Sequence, residues 1–261
     1  MAKGAQSEMM MEILRAGKIT VKYGKKPVLR DISFSLAAGE ALAVVGESGS
    51  GKSTLLRALF GLLPPSAEMN GTVCWQGTEL KEPRRLAGLE AGFVFQDSGA
   101  SFCPVRRIFP QLAEGMREVH GWRDEETRAR AEELLAELEL DKTALDAYAW
   151  ELSGGMLQRL GILAALLPKP RLLLADEPTA ALDTVTQAKA VKLMKRLCIS
   201  HSLSAVIVTH HLGVANALAD KILVLKDGQM VEYGAKERLL SAPQSDYLRL
   251  LLDSVPRFGR A

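Results

Sequence analysis

Between Gly46 and Thr54 the chain reads Gly46-Glu47-Ser48-Gly49-Ser50-Gly51-Lys52-Ser53-Thr54. Every required position of the phosphate-binding pattern G-x-x-x-x-G-K-[ST] is filled. Glycines let such a turn curl tightly and aim successive backbone N–H groups at one anion. An ammonium at Lys52 reaches the β- and γ-phosphates of a nucleoside triphosphate, and the Ser53 hydroxyl suits Mg²⁺. A second group closes Arg171-Leu-Leu-Leu-Ala-Asp-Glu-Pro178, an apolar run ending in two carboxylates. Asp176 is suited to hold Mg²⁺ through water, and Glu177 to polarise a water attacking the γ-phosphate. A third is Leu152-Ser-Gly-Gly-Met-Leu-Gln-Arg159. Ser153, Gly154 and Gly155 before an apolar stretch make another anion-binding helix start. A plain N-cap explains Ser153 but not the second glycine. One nucleotide needs two such loops, far apart in sequence, only when another subunit supplies one of them.

Positioning these groups requires strands that end at the loops. The run Ala41 to Val45 reads as a buried strand, and Thr54 to Phe60 as the helix that follows the glycine loop. The helix N-terminus adds partial positive charge there. Glu12 to Thr20 and Asp31 to Leu36 have strand spacing, with Gly24-Lys-Lys-Pro27 as the turn between them. Leu62-Leu-Pro-Pro-Ser66 breaks the first helix, and Gly71 to Gly77 reads as a short strand and turn. Gly92-Phe-Val-Phe95 reads as a strand ending at Gln96. From about residue 98 to 167 strand signals vanish. Asp124 to Leu140 carries Ala131, Leu134, Leu135 and Leu138 at helical spacing. Strands resume at Arg171 to Ala175, Ser204 to Thr209 and Lys221 to Leu225, with a helix over Asp183 to Cys198. Alternating strands and helices predict an α/β fold with a mostly parallel sheet, interrupted by a helical insert.

Composition sets bounds around that reading. At 261 residues the chain can bury a large core. With 48% hydrophobic and 25% charged residues it is ordinary for a soluble globular protein. A net charge of +2 gives no strong field for nucleic acid, so none is expected as a partner. Cys74, Cys103 and Cys198 are too few and too scattered for a disulfide framework or a zinc site, which points to reduced thiols in the cytosol. No apolar run approaches the ~18 residues of a transmembrane helix, and Met1 to Met11 lacks the apolar region of a signal peptide. Membrane association would come through a partner.

The motifs in their order resemble the nucleotide-binding subunit of ABC transporters. The set is Tyr23, Gly46 to Thr54, Gln96, Leu152-Ser-Gly-Gly-Met156, Leu172 to Glu177, Ala181-Leu-Asp183 and His210. The resemblance implies a P-loop ABC cassette: a mostly parallel core sheet with an antiparallel β subdomain and a helical subdomain at about residues 98–167. It assigns residues 12–240 to the ATP-binding domain and 241–261 to a C-terminal tail. Tyr23 matches the aromatic that stacks on adenine, although a strand-end aromatic packed on the core is also consistent. Gln96 matches the glutamine that senses Mg²⁺ and the γ-phosphate. Ser153 and Gly155 match residues that contact the γ-phosphate held by the opposite subunit. Asp183 matches the residue that crosses to the other phosphate loop, and His210 the switch histidine. Two positions depart from the common pattern: Met156 stands where Gln is usual, and His211 where Asp is usual. The Met variant is familiar in the peptide and nickel importer branch.

Further resemblance points to that branch. Pro243, Tyr247 and Leu250 match its Pro-x-His-x-Tyr-Thr-x-x-Leu segment, while Ser245 and Leu248 replace the His and Thr. Gln96 to Pro104 resembles its Gln-Asn-Pro stretch. A plain amphipathic C-terminal helix also accounts for the tail. No cysteine follows Cys198, so the iron–sulfur centre of some peptide importers is not expected. The resemblance leans toward nickel import ATP-binding proteins, with an oligopeptide or dipeptide importer as the alternative and a non-transport ABC ATPase a further one. It implies ATP and Mg²⁺ as cofactors. Its partners are two transmembrane permeases, a second ABC ATPase (a paralogue or a second copy) and, indirectly, a solute-binding protein, at the cytoplasmic face of the membrane. The segment after Gln96 to about Ile108 would help form a groove for a permease helix, with Phe93, Phe95 and Phe102 as candidate lining, although buried packing is the favoured role of the first two.

Overall fold

A computed structural model describes residues 11–83, 90–180 and 183–254. Apolar residues at alternating positions build the first two strands. In β1 (Glu12–Tyr23), Leu14, Ala16, Ile19 and Val21 are buried; in β2 (Lys26–Ala37), Leu29, Ile32, Phe34 and Leu36 are. The two pair antiparallel through a turn shorter than its sequence suggests, because Lys26 and Pro27 already face Tyr23 and Lys22. Gly24, at φ 57°, supplies the left-handed residue this turn needs. β4 (Ala67–Trp75) flanks β1 on its other side, and β5 (Thr78–Glu79) forms the edge.

The other half of the sheet is parallel where sequence reading expects it. β3 (Ala41–Val45), β6 (Ala91–Val94), β7 (Leu172–Asp176) and β8 (Ser204–Thr209) are buried at every residue. Unbroken burial follows from helices covering both faces. β9 (Lys221–Lys226) lies parallel to β3, and β10 (Gln229–Ala235) returns antiparallel beside β9. Among the described residues the order is β5-β4-β1-β2-β10-β9-β3-β8-β7-β6. Among the described residues the antiparallel and parallel halves meet where β10 pairs with β2 at Gln229 and Arg30, and Tyr233 hydrogen-bonds the Ser35 backbone.

Helix α1 (Lys52–Phe60) packs Leu55, Leu56 and Leu59 into the core between the two halves. The stretch from 98 to 167 forms α2 (Ile108–His120), α3 (Asp124–Glu137) and α4 (Gly154–Leu166), with no strand beyond one isolated bridge, Arg107 to Tyr148. Helix α3 stops before Leu140 because Glu139 adopts φ 57° and the Leu140 N–H turns back to the Leu135 carbonyl. All four apolar residues singled out at helical spacing are buried, in a core that also takes Val94, Leu173 and Ala175 from the sheet. The helical insert is thereby fused to the edge of the parallel sheet. Helix α5 (Thr184–Ser200) and helix α6 (Leu212–Leu218) follow β7 and β8.

The chain after Ser241, read from sequence as a tail, packs on the domain as far as it is described. Following α7 (Lys236–Ser241), helix α8 (Asp246–Asp253) places Tyr247 and Leu248 in a core with Val45 and Val224. The last residues of that expected tail lie outside the described residues.

Strand β6 meets α4 most closely at Gly92, where an added Cβ would lie 2.1 Å from the Ala165 carbonyl oxygen. Both partners are backbone inside regular elements, so neither can yield cheaply. Gly92→Ala is expected to destabilise the fold by about 1–3 kcal/mol, read as a lower urea midpoint at unchanged m value.

Candidate nucleotide site

Parallel strands present their carboxyl ends to one side of the sheet, where ligands of open α/β sheets sit. The glycine loop leaves the end of β3 and enters α1 at Lys52. Gly46 passes so close to β9 that an added Cβ would lie 2.1 Å from the Leu225 carbonyl oxygen. Gly51 starts the helix at φ 102°, a conformation open to glycine alone among common residues. Lys52 is buried, and its Nζ donates to the carbonyls of Gly46 at 2.9 Å and Glu47 at 2.7 Å. Burial pushes the Lys52 pKa down, against the pull of Glu177, Asp176 and Glu47. The Ser50 hydroxyl is buried within the loop and has no hydrogen-bond partner among the described residues.

The paired carboxylates at the end of β7 diverge. Asp176 is buried and its Oδ1 accepts from Ser53 Oγ at 2.8 Å. Burial raises the Asp176 pKa, and the Ser53 hydrogen bond opposes the rise. Glu177 turns at φ 45°, a left-handed conformation that costs a non-glycine residue of order 1 kcal/mol. Its N–H donates to the Val208 carbonyl at 3.0 Å, which ties the turn to β8. Its Oε2 lies 3.0 Å from His210 Nδ1.

One cleft of about 590 Å³ gathers Gly46, Glu47, Ser48, Gly49, Gly51, Lys52, Ser53 and Thr54 with Gln96, Glu177 and His210. Asp176 and Ser50 sit buried behind this lining. Val28 and Leu251 add apolar wall that no sequence motif indicated. Of the two adjacent histidines, His210 lines the cleft. His211 packs its ring 4.0 Å away, and its pKa is pushed down by burial and then by the neighbouring imidazole.

The remaining expected site residues lie elsewhere. Tyr23 is half-buried against the core that α1 shares with β1 and β2, and does not line the cleft. Ser153 caps α4, accepting from the Met156 N–H at 3.3 Å. Gly154 and Gly155 line a separate cleft, which among the described residues shares only Gln96 with the first. Asp183 caps α5, its Oδ1 accepting from Val185 N at 3.0 Å and Thr186 N at 3.1 Å; Ala181 and Leu182 of that motif lie outside the described residues. Gln158, on α4, donates from Nε2 to the Pro178 carbonyl and so links the Ser153 loop to the turn after Glu177. It lies within the Leu152–Arg159 segment, but only tertiary packing reveals this partner.

The site's donor set fits a divalent cation bound together with phosphate. Ser53 and Asp176 offer hard oxygens side by side, the donor type that Mg²⁺ takes with one or two carboxylates and phosphate oxygens. Among the described residues no group of three or more His, Cys, Asp or Glu could hold a metal without a ligand's help.

A glycine loop between a central parallel strand and a buried helix, with carboxylates ending the parallel strand two places away, defines a phosphate-loop NTPase. Residues 29–180 match the family model described as ABC transporter. The metal-staphylopine import system ATP-binding protein CntD of Staphylococcus aureus (strain Mu50) is 34% identical, over 92% of each chain. The dipeptide transport ATP-binding protein DppD of Escherichia coli is 36% identical, over 96% of this chain and 80% of its own. Among solved structures, the post-hydrolysis dimer of the ATP-binding cassette MJ0796, bound to ADP and Pi, has a TM-score of 0.74 at 29% identity. That match covers 86% of this chain and 99% of the other. CbiO1 of Clostridium perfringens shares the fold with a TM-score of 0.76 at 24% identity, over 88% and 91% of the two chains. The chain belongs to the ABC transporter family and is an ATP-binding, ATP-hydrolysing cassette.

Ligand linkage gives a direct check of the cleft. ATP at a hundred times its Kd should raise the melting temperature by on the order of 5–10 °C. Lys52→Met should abolish this shift in a thermal-denaturation assay.

Proposed function

We propose that the chain is the ATP-hydrolysing subunit of an ABC importer that carries a metal, nickel or a metal chelate, through partner permeases. The observation that carries the catalytic part is the cleft itself, where Lys52, Gln96, Glu177 and His210 converge from the ends of four neighbouring strands. Lys52 exchanges its carbonyl partners for the β- and γ-phosphates. The loop N–H groups cradle the same anion. Ser53, Asp176 and Gln96 would hold Mg²⁺, which would neutralise charge on the phosphate oxygens. Glu177 accepts a proton from the attacking water. His210, already 3.0 Å from that carboxylate, holds it in place and contacts the γ-phosphate. Charge stabilisation and positioning supply most of the rate enhancement.

The position of Ser153, Gly154 and Gly155 supports a two-cassette site. Within one chain these residues do not face the phosphate loop. Head-to-tail closure of two cassettes would bring one chain's Ser153 and Gly155 to the γ-phosphate on the other, with Asp183 crossing the same interface and Tyr23 stacking on adenine. Phosphate then stabilises the closed pair, and hydrolysis releases it. The second cassette is a copy of this chain or a paralogue.

Coupling to a membrane partner has its own candidate surface. A cleft of about 370 Å³ is lined by Phe93, Phe95, Phe102, Leu112 and Met116, with Phe95 45% exposed. Phe93 and Phe102 are largely buried, whereas Phe95, expected from sequence to pack in the core, is open to solvent because its strand ends at Val94. A permease helix would seat here and place the cassette at the cytoplasmic face of the membrane. No helix among the described residues is long and apolar enough to cross a membrane itself. Upstream, a solute-binding protein would select the cargo. Likeness to CntD over nearly the whole of both chains favours a metal chelate, while the comparable likeness to DppD supports a peptide as the second reading.

Glu177→Gln is expected to lower steady-state ATPase by about a hundredfold or more while ATP binding persists. The same assay on the wild type should show specific activity rising steeply with protein concentration or on adding the partner cassette. Full activity in dilute monomer would contradict the shared site. Cargo is tested in a deletion strain supplied with labelled nickel, a nickel chelate or a dipeptide. Loss of nickel or chelate uptake is the expected result, and selective loss of dipeptide uptake would establish the alternative.

A further inference from the structure

Helix α8 reaches the nucleotide cleft, and no motif of the site accounts for it. Its N-terminus is anchored firmly. Glu232 Oε1 on β10 accepts from Gln244 N at 3.1 Å, Ser245 N at 2.7 Å and Ser245 Oγ at 2.6 Å. Ser245 Oγ in turn accepts from Leu248 N at 3.1 Å and caps the helix. Within the first turn, the Tyr247 ring is buried, with Lys226 Nζ 4.7 Å from its centroid. Its hydroxyl accepts the Glu47 N–H at 3.0 Å. Glu47 is the second residue of the phosphate loop, and its carbonyl accepts from Lys52. This one residue is thus held from outside by Tyr247 and from inside by the lysine. Leu251, four residues beyond Tyr247 and on the same helix face, lines the cleft.

We propose that α8 forms the outer wall of the nucleotide site. Tyr247 is a positioning residue that fixes the curvature of the phosphate loop through the Glu47 amide. Leu251 is a binding residue that covers the nucleoside. The division follows from chemistry along the cleft. Phosphate oxygens take the N–H groups and the ammonium, which leaves Val28 and Leu251, the apolar part of the lining, for the weakly polar base and ribose. Ordering the loop before ligand arrives reduces the entropy lost on binding. The inference rests on the reading of this cleft as the ATP site.

The test uses the full chain, Tyr247→Phe and Leu251→Ser, with ATP and inorganic triphosphate as probes in titration calorimetry. Phenylalanine keeps the ring in its core and removes only the acceptor oxygen. Tyr247→Phe is expected to weaken both probes by one common factor, about three- to tenfold, with a melting temperature close to wild type. Leu251→Ser should weaken ATP by about tenfold and leave triphosphate unchanged, because triphosphate has no base or ribose to cover. Wild-type affinities in Tyr247→Phe, or equal weakening of both probes in Leu251→Ser, would overturn the proposal. Failure of the wild-type chain to bind ATP would refute the reading of the cleft instead.

Discussion

A buried ammonium must find oxygen partners, and the structure around Lys52 meets that demand. Desolvation weakens the charged form, while nearby carboxylates favour it. In this chain the two loop carbonyls of Gly46 and Glu47 take the charge. They are exchangeable partners, because a phosphate carries more negative charge and presents several oxygens. The loop must therefore keep its curl without an anion. Close passage of Gly46 past Leu225, the left-handed start at Gly51 and the Tyr247 contact to Glu47 impose that curl from outside.

The same demand explains why the other groups of the site sit on strand ends. A loop alone could not hold Glu177 against its left-handed backbone; β8 does so through the Val208 carbonyl. Asp176 tolerates burial because Ser53, the residue after the lysine, donates to it. Strands β3, β7 and β8 thus lock the lysine, the serine, both carboxylates and His210 into one arrangement. Precision of this kind comes from rigid elements more than from the side chains themselves.

The two glycine-bearing loops have opposite surroundings. Gly46, Ser50 and Lys52 are buried in their own chain while Glu47 to Gly49 face the nucleotide cleft, whereas Gly154 and Gly155 open onto a separate cleft with Gln96 at the boundary. Gln158 connects that second loop to Pro178, one residue past Glu177. A movement of α4 relative to the sheet would therefore be felt at the carboxylate. The helical insert shares its core with β6 and β7, so such a movement would be a small sliding of packed elements rather than free rotation.

Short-range patterns carried much of this protein in the sequence itself. The phosphate loop, the paired carboxylates, the parallel strands and the helical insert are local: each depends on residues a few positions apart, and local periodicity and backbone freedom decide them. Boundaries shifted where a cap intervened, as at Glu139, or where a strand began before its apolar run, as at Lys26. What the tertiary structure alone decided are contacts between residues far apart in the chain. Tyr247 meeting Glu47, Leu251 and Val28 completing the cleft, and Gln158 reaching Pro178 all belong here. The reason is physical. A local motif fixes which chemistry a segment can offer, but which groups share one volume depends on how the cores close around the sheet, and that is a property of the whole chain.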